Sequence, residues 1–250
     1  MMVLSVSVSI RNDAYTLYSV DEGQELCTAE NIVGFFVDSE ESWRTFYAVR
    51  YSLRGQCVHD DVEHLEVRVI DSTEKVLGSY SVSHVHIEEV EHEGGAALRL
   101  SGYLLDHPHP DAPTAWGRWR ESSNLELNAW VTLSPTEREA WLDSVRLHHD
   151  WESPDSEVDA SGGVYEVDGR NITDRAGLYC ALGEALRGPG GYFGSTLDAL
   201  RDCLGGGFGL TPPFVLNWHS VKTAQNHLGD SYVNKVVNTM RSAGVSVNLC

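Results

Sequence analysis

Residues 192–204 read Tyr192-Phe193-Gly194-Ser195-Thr196-Leu197-Asp198-Ala199-Leu200-Arg201-Asp202-Cys203-Leu204. An aromatic pair and a glycine lead into a segment where Leu197, Leu200 and Leu204 recur at helical spacing. That predicts a helix over 195–204 with those leucines facing a core. Asp198 and Asp202 then stand one turn apart on the exposed face. Like charges at that spacing repel by a few tenths of a kcal/mol, so folding alone does not select the pair. Near the helix start a carboxylate meets the positive end of the helix dipole, which offsets part of the cost. Ser195 and Asp198 also match an S-x-x-D capping box, which explains Asp198 as a helix-start residue. Asp202 needs another account: pairing with Arg201 or a nearby lysine, or binding a cation outside the molecule.

Working outward, Val164–Val167 reads as a short strand, and Asp174–Leu186 places Leu178, Ala181, Leu182 and Ala185 at helical spacing. Pro213 precedes an apolar strand, Phe214–Trp218. Tyr232–Ala243 reads as a helix ended by Gly244, and Val245–Leu249 as a last strand. Strands alternating with helices predict an α/β domain over 163–250: a small parallel three-stranded sheet packed with helices. The stretch His148–Gly163, HHDWESPDSEVDASGG, is acidic, contains Pro154 and ends in Ser-Gly-Gly, and it reads as a linker centred on 151–162. Residues 1–150 read as a separate α+β, mostly antiparallel β domain. Leu65–Ile70 and Tyr80–Ile87 alternate around a turn at Asp71–Gly78, and Trp43–Leu53, Ala97–Leu105 and Leu125–Leu133 add strand candidates. Ser134, Pro135 and Glu137 form a capping box ahead of a helix that carries Trp141 and Val145 on one face.

The 250 residues are 42% hydrophobic and 22% charged, which suits a globular chain with a real core and excludes disorder throughout. The longest apolar run, Ile32–Val37, is far below the roughly 20 residues that span a bilayer. Met1–Ile10 lacks the basic flank of a signal peptide. The five cysteines (Cys27, Cys57, Cys180, Cys203, Cys250) show no C-x-x-C pairing and read as reduced thiols of a cytoplasmic protein. The net charge of −19 disfavours nucleic acid and anionic membranes, and it either favours basic partners or merely keeps the chain soluble. Residues 164–250 hold seven acidic and seven basic side chains, so the whole excess belongs to residues 1–163.

With these elements in place, residues 163–250 resemble the barstar family of ribonuclease inhibitors, whose members carry a Y-Y-G-x-N-L-D-A-L-W-D-C-L run. The resemblance extends to Asp168–Ile172 as the turn after the first strand and to Asp174–Leu186 as the first helix. Phe214–Trp218 and Val245–Leu249 match the later strands. It implies an intracellular bacterial inhibitor or antitoxin, a non-enzyme of the immunity type, with no metal and no cofactor. Such a protein plugs a basic nuclease active site with the second helix and the loop before it. Tyr192, Phe193, Gly194, Asp198, Arg201 and Asp202 become the partner-binding residues: Tyr192 covers a catalytic histidine, Asp202 occupies the phosphate pocket and Asp198 supports it. The chain departs from the family where Arg201 replaces a tryptophan, Gly207 stands near another, and Thr239 and Ala243 occupy two acidic positions.

Other constellations carry less. His84, His86 and Glu88 share one face of an alternating strand, as a metal site requires, with His92, His107 and His109 as further candidates. That supports an alternative in which the N-terminal domain is a metal-dependent enzyme and the barstar-like domain a docking module. A plain polar strand explains the same residues. Gly205–Gly209 lacks the lysine of a P-loop, and Cys203 beside Leu200 reads as packing. His148–His149 reads as solvated linker, Trp130 and Trp141 as core, and Trp116 and Trp119 as lying on a loop.

Overall fold

The computed structural model describes residues 13–54, 61–121, 125–152 and 158–250. Met1–Ile10, Cys57 and residues 153–157 of the expected linker lie outside the described residues. The chain divides into two compact units, Met1–Pro108 and His109–Cys250.

The first unit is a closed antiparallel barrel of six strands in the order β1-β2-β3-β6-β5-β4, with β4 pairing back to β1. The strands are β1 Tyr15–Ser19, β2 Gln24–Val33, β3 Trp43–Leu53, β4 Val62–Ile70, β5 Val76–His92 and β6 Gly95–Leu104. Period-two alternation sends Leu17, Ala29, Phe46, Val67, Val82 and Leu100 into a closed interior, all of them buried. Closure leaves no strand edge to aggregate. The phase of β5 changes once: its register shifts between Ser83 and His86, with His84 at φ 51°, so Val82 and Val85 both point inward. Gly102 makes room for this bulge, because a Cβ there would lie 2.9 Å from the Ser83 carbonyl oxygen. The buried Arg44 guanidinium donates to the carbonyls of Phe35 (2.8 Å) and Ser39 (3.1 Å), which fixes the connection from β2 to β3.

The second unit is built on a parallel sheet in the order β7-β8-β9, formed by Val164–Asp168, Val215–His219 and Ser246–Leu249. Its helices are α1 Ala112–Glu121, α2 Pro135–Glu152, α3 Arg175–Arg187, α4 Leu197–Leu204, α5 Val221–Leu228 and α6 Asp230–Ser242. The mostly antiparallel first part and the helix-packed parallel sheet of the second agree with the sequence reading.

The partition differs from 1–150, 151–162 and 163–250. Trp130, Trp141 and Val145 share one hydrophobic core with Leu182, Leu200 and Trp218. Asp174 joins the two halves: its Oδ1 accepts the Gly177 N–H (2.7 Å) to cap α3, while its Oδ2 pairs with Arg138 of α2. A methyl on Gly190 would sit 2.5 Å from Leu125 and 2.9 Å from Trp119, so α1 and the following loop lie close against the 188–191 turn. Within the expected linker, residues 148–152 continue α2, and Ala160 bridges Leu210 in parallel.

Three local expectations are corrected. Leu125–Leu133 is a turn-rich loop: the Asn128 backbone N–H donates to the buried Glu184 carboxylate of α3 (2.9 Å) and not to a neighbouring strand, and the Trp130 indole N–H joins it there (3.0 Å). Trp116 and Trp119 lie on α1, with Trp116 fully buried. α4 is capped by Thr196, whose hydroxyl accepts the Ala199 N–H at 3.1 Å, so Ser195 is not its cap.

Candidate functional site

α4 is eight residues long and sharply two-faced. Leu200, Cys203 and Leu204 are buried, while Asp198, Arg201 and Asp202 are exposed. At 100° per residue the two aspartates lie at the middle of the outward face, with Leu197 and Arg201 on one flank. The chain enters the helix through Gly194, which has φ +92° and lies so close to the helix that a Cβ would stand 2.7 Å from the Leu200 nitrogen. Only glycine meets both demands.

The acidic ridge is electrostatically uneven. Asp198 accepts from Arg201 at 2.6 Å, with both side chains largely exposed (85% and 63%). An exposed pair of this kind contributes at most about 1 kcal/mol and exchanges readily. Among the described residues, the Asp202 side chain has no hydrogen-bond or ion-pair partner. It is the free anion of the ridge, and its charge helps burial to push the Cys203 thiol up to about 12. Cys203 is therefore a packed, protonated thiol with no nucleophilic character at neutral pH.

The aromatic pair lies deeper than the ridge. Phe193 is fully buried and Tyr192 is 5% exposed. The Tyr192 ring lies beneath Phe208 and His149, each with its ring centroid 6.1 Å away, and His149 stacks on Phe208 at 5.3 Å. The sequence reading of His149 as solvated linker is corrected by this packing, and Phe208 carried no signal of its own. His149 is on α2, where the acidic, proline-bearing context suggested a linker, and Phe208 is one aromatic among glycines. The glycine loop is also occupied: the Gly207 N–H donates to Asp159 Oδ2 at 2.7 Å. That leaves one amide fewer for a phosphate.

Beside α4, α6 presents Lys235, Asn238, Thr239 and Ser242, with Ala243 at its end, across a groove of about 520 Å³ from Leu197 and Arg201. Lys235 was not picked out from sequence, although it lies one turn before Thr239 on the face the resemblance had singled out.

The barrel histidines are placed differently. His84 and His86 share the exposed face of β5, and each faces a carboxylate: Glu63 at 2.9 Å and Asp61 at 2.8 Å. Glu88 pairs with Arg99. His92 stacks on Tyr47 at 4.1 Å; in the second unit, His109 approaches Glu139 at 4.0 Å. Among the described residues, no three metal-ligating side chains come together. No described helix is long and apolar enough to cross a membrane, and the four described cysteines are free thiols.

No curated protein matches the chain. Residues 163–248, from the residue before β7 into β9, match the family model described as Barstar (barnase inhibitor). About a third of the chain is therefore similar to the barstar family.

Proposed function

We propose that the chain is a non-enzymatic inhibitor of a ribonuclease or ribonuclease-like toxin, of the immunity or antitoxin type, acting in the cytoplasm of a bacterial producer. The exposed ridge of α4 enters the partner's basic active site, where Asp202 stands in for a substrate phosphate and Asp198 supports it. The observation that carries this reading is the unpartnered Asp202 on the outward face of α4 in a segment similar to the barstar family. A carboxylate held out on a rigid helix, with no internal cation to neutralise it, is preorganised for an external cation cluster. Opposite potentials also speed encounter. Gly194 fixes the entry to the helix, and the covered Tyr192 ring supports the loop. The free cysteines agree with a reducing compartment.

The test is hydrolysis of a fluorogenic RNA by a panel of small bacterial ribonucleases, barnase among them, with and without the full chain. At least one nuclease is expected to be inhibited stoichiometrically. Asp202→Ala leaves the partner's cations desolvated and unpaired, a loss of about 2–5 kcal/mol, which is roughly 30-fold or more in the inhibition constant. Equal inhibition by the original chain and Asp202→Ala overturns the phosphate-mimic role.

A further inference from the structure

Resting on that reading, we propose that the groove between α4 and α6 receives a carboxylate side chain of the partner nuclease, so that the partner carries an acid at the rim of its basic active site. The groove is lined by Leu197 and Arg201 from α4, by Lys235, Asn238, Thr239 and Ser242 from α6, and by Ala243 at the end of α6. Two of these seven side chains are cations and none is an acid. A surface built only to meet arginines and lysines places no cations here, because like charges brought together across an interface cost several kcal/mol. The domain therefore presents two adjoining fields of opposite sign, an acidic ridge on α4 and a cationic groove beside it.

Both cations are available. The Arg201 bond to Asp198 is exposed on both sides and exchanges for a partner carboxylate at little cost. Lys235 is exposed and has no ion pair among the described residues. Thr239 and Ser242 offer hydroxyl donors and Asn238 an amide N–H, which supply the remaining hydrogen bonds a desolvated carboxylate requires. Ala243 and Thr239 are small, which keeps about 520 Å³ open between the helices, room for an aspartate or glutamate side chain. The groove flanks the outward face of α4, so one partner surface covers ridge and groove together. Specificity follows: a nuclease whose rim is basic opposite the groove is repelled, and one with an acid there is held.

The probe is a displayed library of catalytically silenced barnase, randomised over surface residues bordering its active-site cleft and selected on the immobilised full chain. Clones with aspartate or glutamate at rim positions are expected to be enriched and to bind at least tenfold more tightly than unmodified barnase. The doubly reversed chain, Arg201→Glu with Lys235→Glu, is expected to enrich lysine and arginine at the same positions and to bind the acidic clones at least tenfold more weakly. Both substitutions fall on exposed side chains, and circular dichroism checks that helix content is kept. Binders recovered without acidic enrichment, or enrichment that ignores the charge reversal, overturn the groove assignment and leave the inhibitor reading standing. Failure to recover any binder overturns the groove assignment, and if no ribonuclease of the panel is inhibited either, the inhibitor reading falls with it.

Discussion

A methyl group at position 194 would have to share space with the Leu200 nitrogen at 2.7 Å while the backbone stays at φ +92°. The left-handed conformation alone costs a non-glycine residue about 1–3 kcal/mol, and the collision adds to it. Gly194→Ala is therefore expected to lower the unfolding free energy by roughly 2 kcal/mol or more, read in urea denaturation of the full chain. Glu184 supplies a pH-dependent counterpart. Burial pushes its carboxyl above the ordinary value of 4.5, against the opposing hydrogen bonds from Asn128, Trp130 and Gly190. The folded state then holds this proton more tightly than the unfolded chain does. Its contribution to stability falls as pH rises from about 4.5 through the raised value and is constant above it. Glu184→Gln keeps an acceptor and removes the charge. The stability difference between the variant and the original chain is expected to grow across that window and then level off; a difference independent of pH would rule out titration of Glu184. At this scale Asp198 and Asp202 were legible, because a helical repeat fixes which side chains face out. The depth of Tyr192 was not, because its covering rings come from positions 149 and 208.

At the scale of elements, sequence and structure part where a segment's hydrogen bonds go to an unexpected partner. β3 is legible over its observed span, Trp43–Leu53, because the segment is rich in aromatic residues that favour strands. Leu125–Leu133 alternates, with Leu125, Leu127, Ala129, Val131 and Leu133 on one phase, yet it is a loop. Asn128 sits at φ 66°, and its N–H is taken by a carboxylate 56 residues away, which no local pattern announces. α1 hid behind Pro113 and Gly117, and α5 was missed in the stretch between two well-signalled elements. In contrast, the capping box at the start of α2 forms as read, with the Ser134 N–H donating to Glu137 Oε2 at 2.8 Å. The cap of α4 moves one residue, from Ser195 to Thr196, whose extended backbone (φ −140°) brings its hydroxyl onto the Ala199 N–H. Thr196→Ala is expected to cost about 1 kcal/mol of stability and Thr196→Ser only a few tenths, measured by thermal or urea unfolding. A loss of the same size in both variants would mean that the methyl packs and the hydroxyl does not cap.

For the whole molecule, the compact units divide the chain at a different place from its charge. Charge suggested a neutral domain after residue 163, but the compact unit begins at His109 and takes in α1, α2 and their acidic side chains. Residues 1–108 carry 19 acidic and seven basic side chains, and residues 109–250 carry 18 and 11, so both units are acidic. The sequence could not show this, because the division rests on contacts between distant segments: Trp130 against Gly177, Arg138 on Asp174, and His149 over Phe208. The segment 163–250, which contains the barstar-like residues 163–248, lacks Trp130 and Trp141, which are 0% and 1% exposed within the shared core. Losing a buried tryptophan side chain costs about 3–5 kcal/mol, and two such losses consume much of the roughly 5–15 kcal/mol that holds an ordinary domain folded. Removing α2 also leaves the Asp174 carboxylate without Arg138 and uncovers the Tyr192 ring. The fragment 109–250 is therefore expected to unfold in one cooperative urea transition, with tryptophan fluorescence and far-ultraviolet circular dichroism coincident. The fragment 163–250 is expected to have a broad or early transition and to bind a hydrophobic dye. Coincident, equally stable transitions for both fragments would show that α1 and α2 merely decorate a self-sufficient fold over 163–250. The expected result instead makes the helical extension part of what holds α4 in its presenting geometry.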